Sequence, residues 1–234
     1  GTWSLRGREV KEPIINEQSL SFNFTNEGGV CGTFRLLKNI MGLWLVQECR
    51  RDWQKQGTFL SYDEIDEQAR QSEGLVSIID TDDLGFYAAG NMQKKIQDYC
   101  ARTNQPVPQT IGQVARCIYD SLALKYRFAL ETLEAFSGTK IDQLNIVGGG
   151  TKNKLMNQLA ADATGKPVVA GPVESACVGN LLMQAVALGE LGGVEDARAV
   201  VCASFATERY ESRCTQQWQD AYGRLLGYME MKQA

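Results

Sequence analysis

The chain has 234 residues, of which 44% are apolar, so it can bury one large core or two smaller ones. Its net charge is −4 and its Lys and Arg residues form no basic stripe, which argues against a nucleic-acid partner. It contains no histidine, which excludes Ser-His-Asp and Cys-His nucleophiles and His-ligated metals.

The seven cysteines are widely spaced and include no Cys-x-x-Cys pair, which argues against a zinc site. Free thiols in a cytoplasmic protein are the expected state, and a bridge between Cys100 and Cys117 is left open. No apolar run approaches about 20 residues, the length that spans a membrane. No signal-peptide pattern is found at the start of the sequence. We therefore expect a cytoplasmic protein without a membrane partner.

The first third of the chain is predicted to form strands followed by a helix. Residues 1–37 predict three antiparallel strands, among them the alternating segment 20–24. A helix is predicted over residues 39–53, on which Asn39 and Gln47 would share one face, about 12 Å apart. Two amides on one face indicate either ligand contacts or simple capping and solvation, and the residues alone favour solvation.

The middle of the chain alternates apolar and turn-rich segments. The predicted elements are, in order, a short acidic helix (62–71), a strand (75–79), a loop (80–90), a helix (92–103) and a long helix (110–136). Gly138 is expected to end the long helix.

Three aspartates, Asp80, Asp82 and Asp83, are clustered in the predicted loop. They could bind a metal ion, but the further ligands of a calcium loop are missing, so a solvated turn is predicted instead. The sequence assigns no metal-binding residue.

The segment after the long helix predicts a strand (144–147), a turn of three glycines (148–150) and a helix (154–161), followed by a second strand (167–170). Glycine lets the backbone adopt positive φ and approach a ligand, and the start of a helix favours a phosphate. The glycines could equally form a plain turn of an α/β domain. The spacing matches neither a P-loop nor a dinucleotide fingerprint.

Helices are predicted over residues 178–191, 194–206 and 210–231. Antiparallel strands followed by alternating helices and strands indicate an α/β domain with a mixed sheet and helices on both faces. In such a domain, ligands lie at the strand ends, here beside the glycine turn.

A set of motifs runs through nearly the whole chain. They are GTWSL (1–5), TNEGG (25–29), LKNIMGLWL (37–45) with Gln47, ARCIYDSLA (115–123), and IVGGG (146–150) through AGPVE (170–174). In these motifs and their order the sequence resembles the C-terminal domain of the FGGY family of carbohydrate kinases.

The resemblance implies an actin/hexokinase/Hsp70-like ATPase domain, which is ribonuclease H-like. Residues 1–234 would be the C-terminal nucleotide-binding domain of a two-domain kinase, with an N-terminal domain that this chain lacks. ATP and a sugar would bind between the two domains, with Mg²⁺ accompanying ATP. The implied reaction phosphorylates L-rhamnulose at its 1-hydroxyl. Another ketose, such as L-fuculose or a pentulose, and a non-catalytic actin-like module are the alternatives.

The same resemblance implies roles for individual residues. Thr2 would contact the nucleotide phosphates, Gln47 and Gly149 would contact ATP, and Asn153 would lie near the adenine. Asn39 would reach the sugar. The general base of the family is an aspartate near the end of the first domain, and no carboxylate of this chain inherits that role.

Overall fold

The computed structural model describes residues 3–213 and 215–230. The strands are β1 (Trp3–Val10), β2 (Phe24–Gly28), β3 (Phe34–Met41), β4 (Leu144–Ile146), β5 (Val168–Ala170) and β6 (Glu208–Tyr210). The α-helices are α1 (Glu17–Ser21), α2 (Trp44–Lys55), α3 (Tyr62–Gln71), α4 (Met92–Arg102), α5 (Ile111–Ser137), α6 (Lys154–Thr164), α7 (Ser175–Ala187), α8 (Val194–Ser204) and α9 (Gln216–Glu230). Two 3-10 helices cover Leu84–Phe86 and Gly148–Lys152. The predicted α/β class is confirmed.

The strands of the described residues form two three-stranded sheets. In the first sheet the order is β1-β3-β2 and both pairings are antiparallel. In the second sheet β5 is central, parallel to β4 and antiparallel to β6. The parallel β4–α6–β5 unit follows from the predicted strand, glycine turn, helix and strand, because a parallel pair needs a crossover connection.

Helix α5 is the centre of the core. It is 27 residues long, and its apolar stripe buries residues such as Ile118 and Leu122 completely. It packs against α3, α6 and α9 and contacts β1. Both ends have local causes, since the Thr110 hydroxyl caps the first turn and Gly138 takes the left-handed conformation with φ of 63°.

The strand predicted over residues 20–24 is wrong in its first part. Asn16 caps a helical turn, its side-chain oxygen accepting from the N–H of Ser19 at 2.7 Å, so α1 occupies residues 17–21. Strand β2 begins only at Phe24, which is buried.

The helix predicted from Asn39 is also wrong at its start. Strand β3 continues to Met41 because it pairs with β1 along its whole length and with β2 up to Lys38. Buried Leu36, Lys38 and Ile40 alternate with outward residues, which is the pattern of a strand. Helix α2 begins at Trp44.

The strand predicted over residues 75–79 does not form. Its backbone groups bond to side chains of other segments rather than to a neighbouring strand. The N–H of Leu75 donates to the Asp120 carboxylate at 2.6 Å, and the N–H of Ile79 donates to the Ser121 hydroxyl at 2.9 Å. A buried apolar segment can therefore satisfy its backbone without a β-ladder.

The end of the chain differs in one element from the prediction. Strand β6 covers Glu208–Tyr210, so the last helix starts at Gln216 and not at Tyr210. The six cysteines among the described residues are free thiols, and those of Cys100 and Cys117 are buried and form no disulfide with each other. Within residues 3–213 and 215–230, no helix is both long and apolar enough to cross a membrane.

Candidate functional site

The glycine turn, which we define as the 3-10 helix Gly148–Lys152, lies at the carboxyl end of β4. Gly148 has a φ of 79°, so of its three glycines this one requires the left-handed region. Its N–H donates to the Pro172 carbonyl at 3.1 Å, and the Thr151 hydroxyl donates to the Gly148 carbonyl at 2.8 Å. These bonds fix the turn from both sides.

The turn leaves two backbone donors available. The first three N–H groups of a 3-10 helix have no partner inside the helix. That of Gly148 is taken by Pro172, whereas those of Gly149 and Gly150 form no hydrogen bond with a described residue. Gly149 is exposed. Two neighbouring N–H groups at an exposed glycine can bind an anionic oxygen, as predicted for this turn.

Asn153, the predicted adenine neighbour, is nearly buried and caps α6. Its Oδ1 accepts from the N–H of Met156 at 2.8 Å, and its Nδ2 donates to Oδ1 of Asp66 at 3.0 Å. Both ends of the amide are thus engaged within the protein. The structure gives Asn153 a role in fixing the end of the glycine turn and the start of α6.

Asp66 is a candidate site residue that the sequence did not reveal. It lies on α3, for which the sequence predicts only a short acidic helix, and it contacts Asn153 at the start of α6. The Tyr119 hydroxyl of α5 donates to the same Oδ1. Partial burial raises the pKa of the Asp66 carboxyl, although the hydrogen bonds from Tyr119 and Asn153 act in the opposite direction. No local pattern distinguishes Asp66 from the other acidic residues of α3.

Asn39 and Gln47 lie on different elements, so they do not share a helix face. Asn39 is exposed on β3, opposite Leu5 of β1, and Gln47 is half-buried in the first turns of α2. Neither amide makes a hydrogen bond with another described residue. Both are therefore available to a ligand or to water. Thr2 lies outside the described residues.

The junction between β3 and α2 is fixed by a buried charge cluster, which we define as Lys125, Asp80 and Asp82. Lys125 Nζ lies 2.6 Å from an oxygen of Asp80 and 3.1 Å from an oxygen of Asp82. The N–H of Met41, the last residue of β3, donates to Asp82 at 3.1 Å. The predicted solvated turn is therefore wrong for Asp80, which is buried and ion-paired. One residue of the sequence could have indicated this buried ion pair, namely Lys125, a cation within the apolar sequence of α5.

Burial lowers the pKa of Lys125, but the negative charges of Asp82 and Asp80 outweigh it, so the pKa is raised overall. The ammonium group is therefore charged at neutral pH. The described residues contain no group of three or more acidic or cysteine side chains that could hold a metal ion.

The comparisons with known proteins agree with this architecture. The sequence model of the FGGY family of carbohydrate kinases, C-terminal domain, matches residues 1–188. This chain belongs to that family. The expected family resemblance is therefore confirmed.

Among curated relatives, the rhamnulokinase of Bacteroides thetaiotaomicron is 44% identical over 222 residues, which are 95% of this chain and 45% of the relative. The rhamnulokinase of Bacillus subtilis is 44% identical over 205 residues, covering 88% of this chain and 42% of the relative. The chain thus spans less than half the length of these FGGY relatives.

Two solved structures share the fold. The ligand-bound xylulose kinase of Lactobacillus acidophilus superposes with a TM-score of 0.71 at 14% identity, over 100% of this chain and 46% of that chain. The xylulose kinase of Rhodospirillum rubrum gives a TM-score of 0.69 at 16% identity, over 99% of this chain and 46% of that one. At this identity the likeness concerns the fold, and it confirms the predicted actin/hexokinase-like ATPase fold.

Proposed function

We propose that this chain is the nucleotide-binding part of a longer ATP-dependent sugar kinase, which transfers the γ-phosphoryl group of ATP to the 1-hydroxyl of L-rhamnulose. The observation that carries the proposal is the 44% identity to a rhamnulokinase over 95% of the chain. The glycine turn supports it, because the N–H groups of Gly149 and Gly150, which have no partner among the described residues, suit phosphate oxygens.

In this proposal residues 1–234 form the C-terminal domain of a cytoplasmic kinase, and its N-terminal domain supplies most of the sugar site. The general base that accepts the proton of the sugar hydroxyl comes from that domain. Gly149 and Thr2 bind the phosphates, Gln47 contacts ATP, and Asn39 faces the sugar. Asn153 fixes the start of α6 beside the adenine.

Mg²⁺ enters the proposal together with ATP. Since the described residues offer no cluster of three metal ligands, oxygens of the ATP phosphates would hold the ion, as is common for Mg²⁺. Mg²⁺ neutralises charge on the transferring phosphoryl group. This chain would position the phosphates through the fixed backbone of the glycine turn.

The decisive experiment joins this chain to the first half of a relative. A chimera would carry the part of the Bacillus subtilis rhamnulokinase that precedes the matched region, followed by residues 1–234. We expect ADP release that depends on L-rhamnulose, measured with a coupled assay, and slower release with L-fuculose or D-xylulose. The chain alone should be at least about 10²–10⁴-fold slower, because it lacks the general base.

A folded chimera that binds ADP but phosphorylates no ketose would refute the kinase proposal. Faster turnover with L-fuculose or D-xylulose would refute the substrate assignment and leave the family reaction intact. Turnover by the chain alone at the rate of the chimera would refute the division of roles between the two halves.

The chimera also separates the roles of Asn39 and Gln47. We expect Asn39→Ala chiefly to raise the KM for the sugar and Gln47→Ala chiefly to raise the KM for ATP, each by roughly two- to tenfold, the value of one lost hydrogen bond. Steady-state kinetics with either substrate varied would measure both constants. If both amides are merely solvated, neither constant changes. Equal effects of each variant on both substrates would contradict the assignment.

A further inference from the structure

Asp66 has an unused hydrogen-bond acceptor next to the start of α6. Its Oδ1 accepts from the Tyr119 hydroxyl and from Asn153 Nδ2, at 3.0 Å in the latter case. Its Oδ2 forms no hydrogen bond with any residue in the described part of the chain, and no lysine or arginine forms an ion pair with it there. The side chain is half-buried. A held carboxylate with one unpaired oxygen is suited to a ligand that donates an N–H or O–H group.

The charge of Asp66 determines which part of a nucleotide can approach it. A carboxylate repels phosphate groups, so the phosphates are disfavoured at Asp66. The free N–H groups of Gly149 and Gly150 provide the favourable place for them, at the other end of the glycine turn. The uncharged part of the nucleotide would then bind at the end of the glycine turn that lies next to Asp66.

Asn153 is poorly placed to distinguish bases. Its Oδ1 caps α6 by accepting from Met156, and its Nδ2 donates to Asp66. These bonds use one N–H and one lone pair of the amide and hold it in place, so a base could meet only its second N–H or second lone pair, whereas Asp66 Oδ2 has no partner among the described residues. The Oδ2 atom of Asp66 is therefore the acceptor next to the start of α6 that remains free to recognise a base.

We propose that Asp66 determines the base specificity of the nucleotide site: its Oδ2 accepts a hydrogen bond from the 6-amino group of adenine and repels the 6-oxo group of hypoxanthine or guanine. The inference rests on the proposed nucleotide-binding function. A site built to accept a ligand donor discriminates strongly against a ligand with an acceptor at that position, because two acceptors are left facing each other.

The test compares ADP with IDP, which carries an oxygen in place of the 6-amino group. Calorimetry on the 234-residue chain should show that ADP binds about ten- to hundredfold more tightly than IDP. In Asp66→Asn, the amide oxygen can still accept from Tyr119 and Asn153, while the amide nitrogen replaces Oδ2 and donates. We expect this variant to bind IDP within about threefold of ADP.

Asp63→Asn is the matched control. Asp63 is exposed on the same helix and its side chain makes no hydrogen bond with a described residue, so the variant removes an equal charge without touching α6. It should keep the preference for ADP. Circular dichroism and thermal unfolding check that each variant is folded, and Asp66→Ala, which should bind ADP more weakly, provides a second readout if Asp66→Asn unfolds.

An unchanged ratio of ADP to IDP affinity in folded Asp66→Asn would overturn the inference. An equal loss of both affinities would also overturn it, because Asp66 would then act only through the position of Asn153. If the wild-type chain bound neither nucleotide at millimolar concentration, the proposed nucleotide-binding function would fail, and the inference with it. The first two outcomes require a wild-type chain that binds nucleotide and the last one does not, so the two failures are distinguishable.

Discussion

Replacing Lys125 by methionine should lower the free energy of unfolding by about 3–5 kcal/mol. Methionine has a similar length and fits an apolar helix face, but it leaves the Asp80 carboxylate buried without the cation 2.6 Å away. An unpaired buried charge costs far more than a lost surface ion pair. Urea unfolding at neutral pH, followed by circular dichroism and tryptophan fluorescence, measures the change.

Lys94→Met is the control for the removal of a lysine. Lys94 is exposed on α4 and pairs with Asp98 on the surface, so this variant should change the free energy of unfolding by less than about 1 kcal/mol. Combining Lys125→Met with Asp80→Asn should recover at least part of the loss, because the buried carboxylate is removed together with its partner. A loss of less than about 1 kcal/mol in Lys125→Met would show that the charge cluster does not stabilise the fold.

The difference in the free energy of unfolding between wild type and Lys125→Met should depend on pH in a defined direction. The pKa of Lys125 is raised in the folded protein because Asp82 and Asp80 outweigh the effect of burial. Its stabilisation is therefore fully present below the unfolded-state pKa of about 10.4 and is lost as the pH rises through the folded value. The gap between wild type and Lys125→Met should stay constant from neutral pH to about pH 9 and narrow only in strong alkali.

Gly149→Val should weaken ADP binding by at least about tenfold while the domain stays folded. Gly149 does not have the positive φ of Gly148, so valine causes no left-handed strain at this position. Its branched side chain would instead occupy the space in front of the free N–H groups. The loss of one or two hydrogen bonds to a charged phosphate, each worth about 1.5–3 kcal/mol, gives the expected size.

Calorimetry with ADP measures the effect of Gly149→Val, and circular dichroism reports on the fold. Gly179→Val is a matched control, because a Cβ at this position of α7 would meet nothing within 4 Å. It should leave ADP affinity unchanged. Unchanged affinity in folded Gly149→Val would mean that the glycine serves only the turn, the plain alternative that the sequence left open.

The charge cluster also connects stability to the site. Asp82 bonds to the Met41 N–H, so the cluster fixes the end of β3, two residues from Asn39 and three residues before α2. Loosening it would move both candidate ligand-binding amides, Asn39 and Gln47, relative to the core. Variants of Lys125 are therefore expected to affect binding as well as unfolding.

The sequence alone determined the elements whose ends and faces are set by local chemistry. Helix α3 covers the predicted residues because Ser61 and Glu64 form a capping box, and α5 does so because Thr110 caps it and Gly138 ends it. The β4–turn–α6–β5 unit follows from an apolar run, three glycines and helical spacing. These signals act within a few residues, so they can be read without a structure. The family motifs similarly determined which fold to expect.

Only the tertiary structure decided the features that depend on partners far along the chain. Asn39 belongs to a strand because β1 pairs with β3, although residues 39–53 taken alone suit a helix. The apolar segment 75–79 forms no strand because side chains of other elements take its backbone bonds. Asp66 meets Asn153 across 87 positions, and Lys125 meets Asp80 across 45. Such pairs arise when packed elements bring distant side chains together, and the local propensity of a segment does not predict that packing.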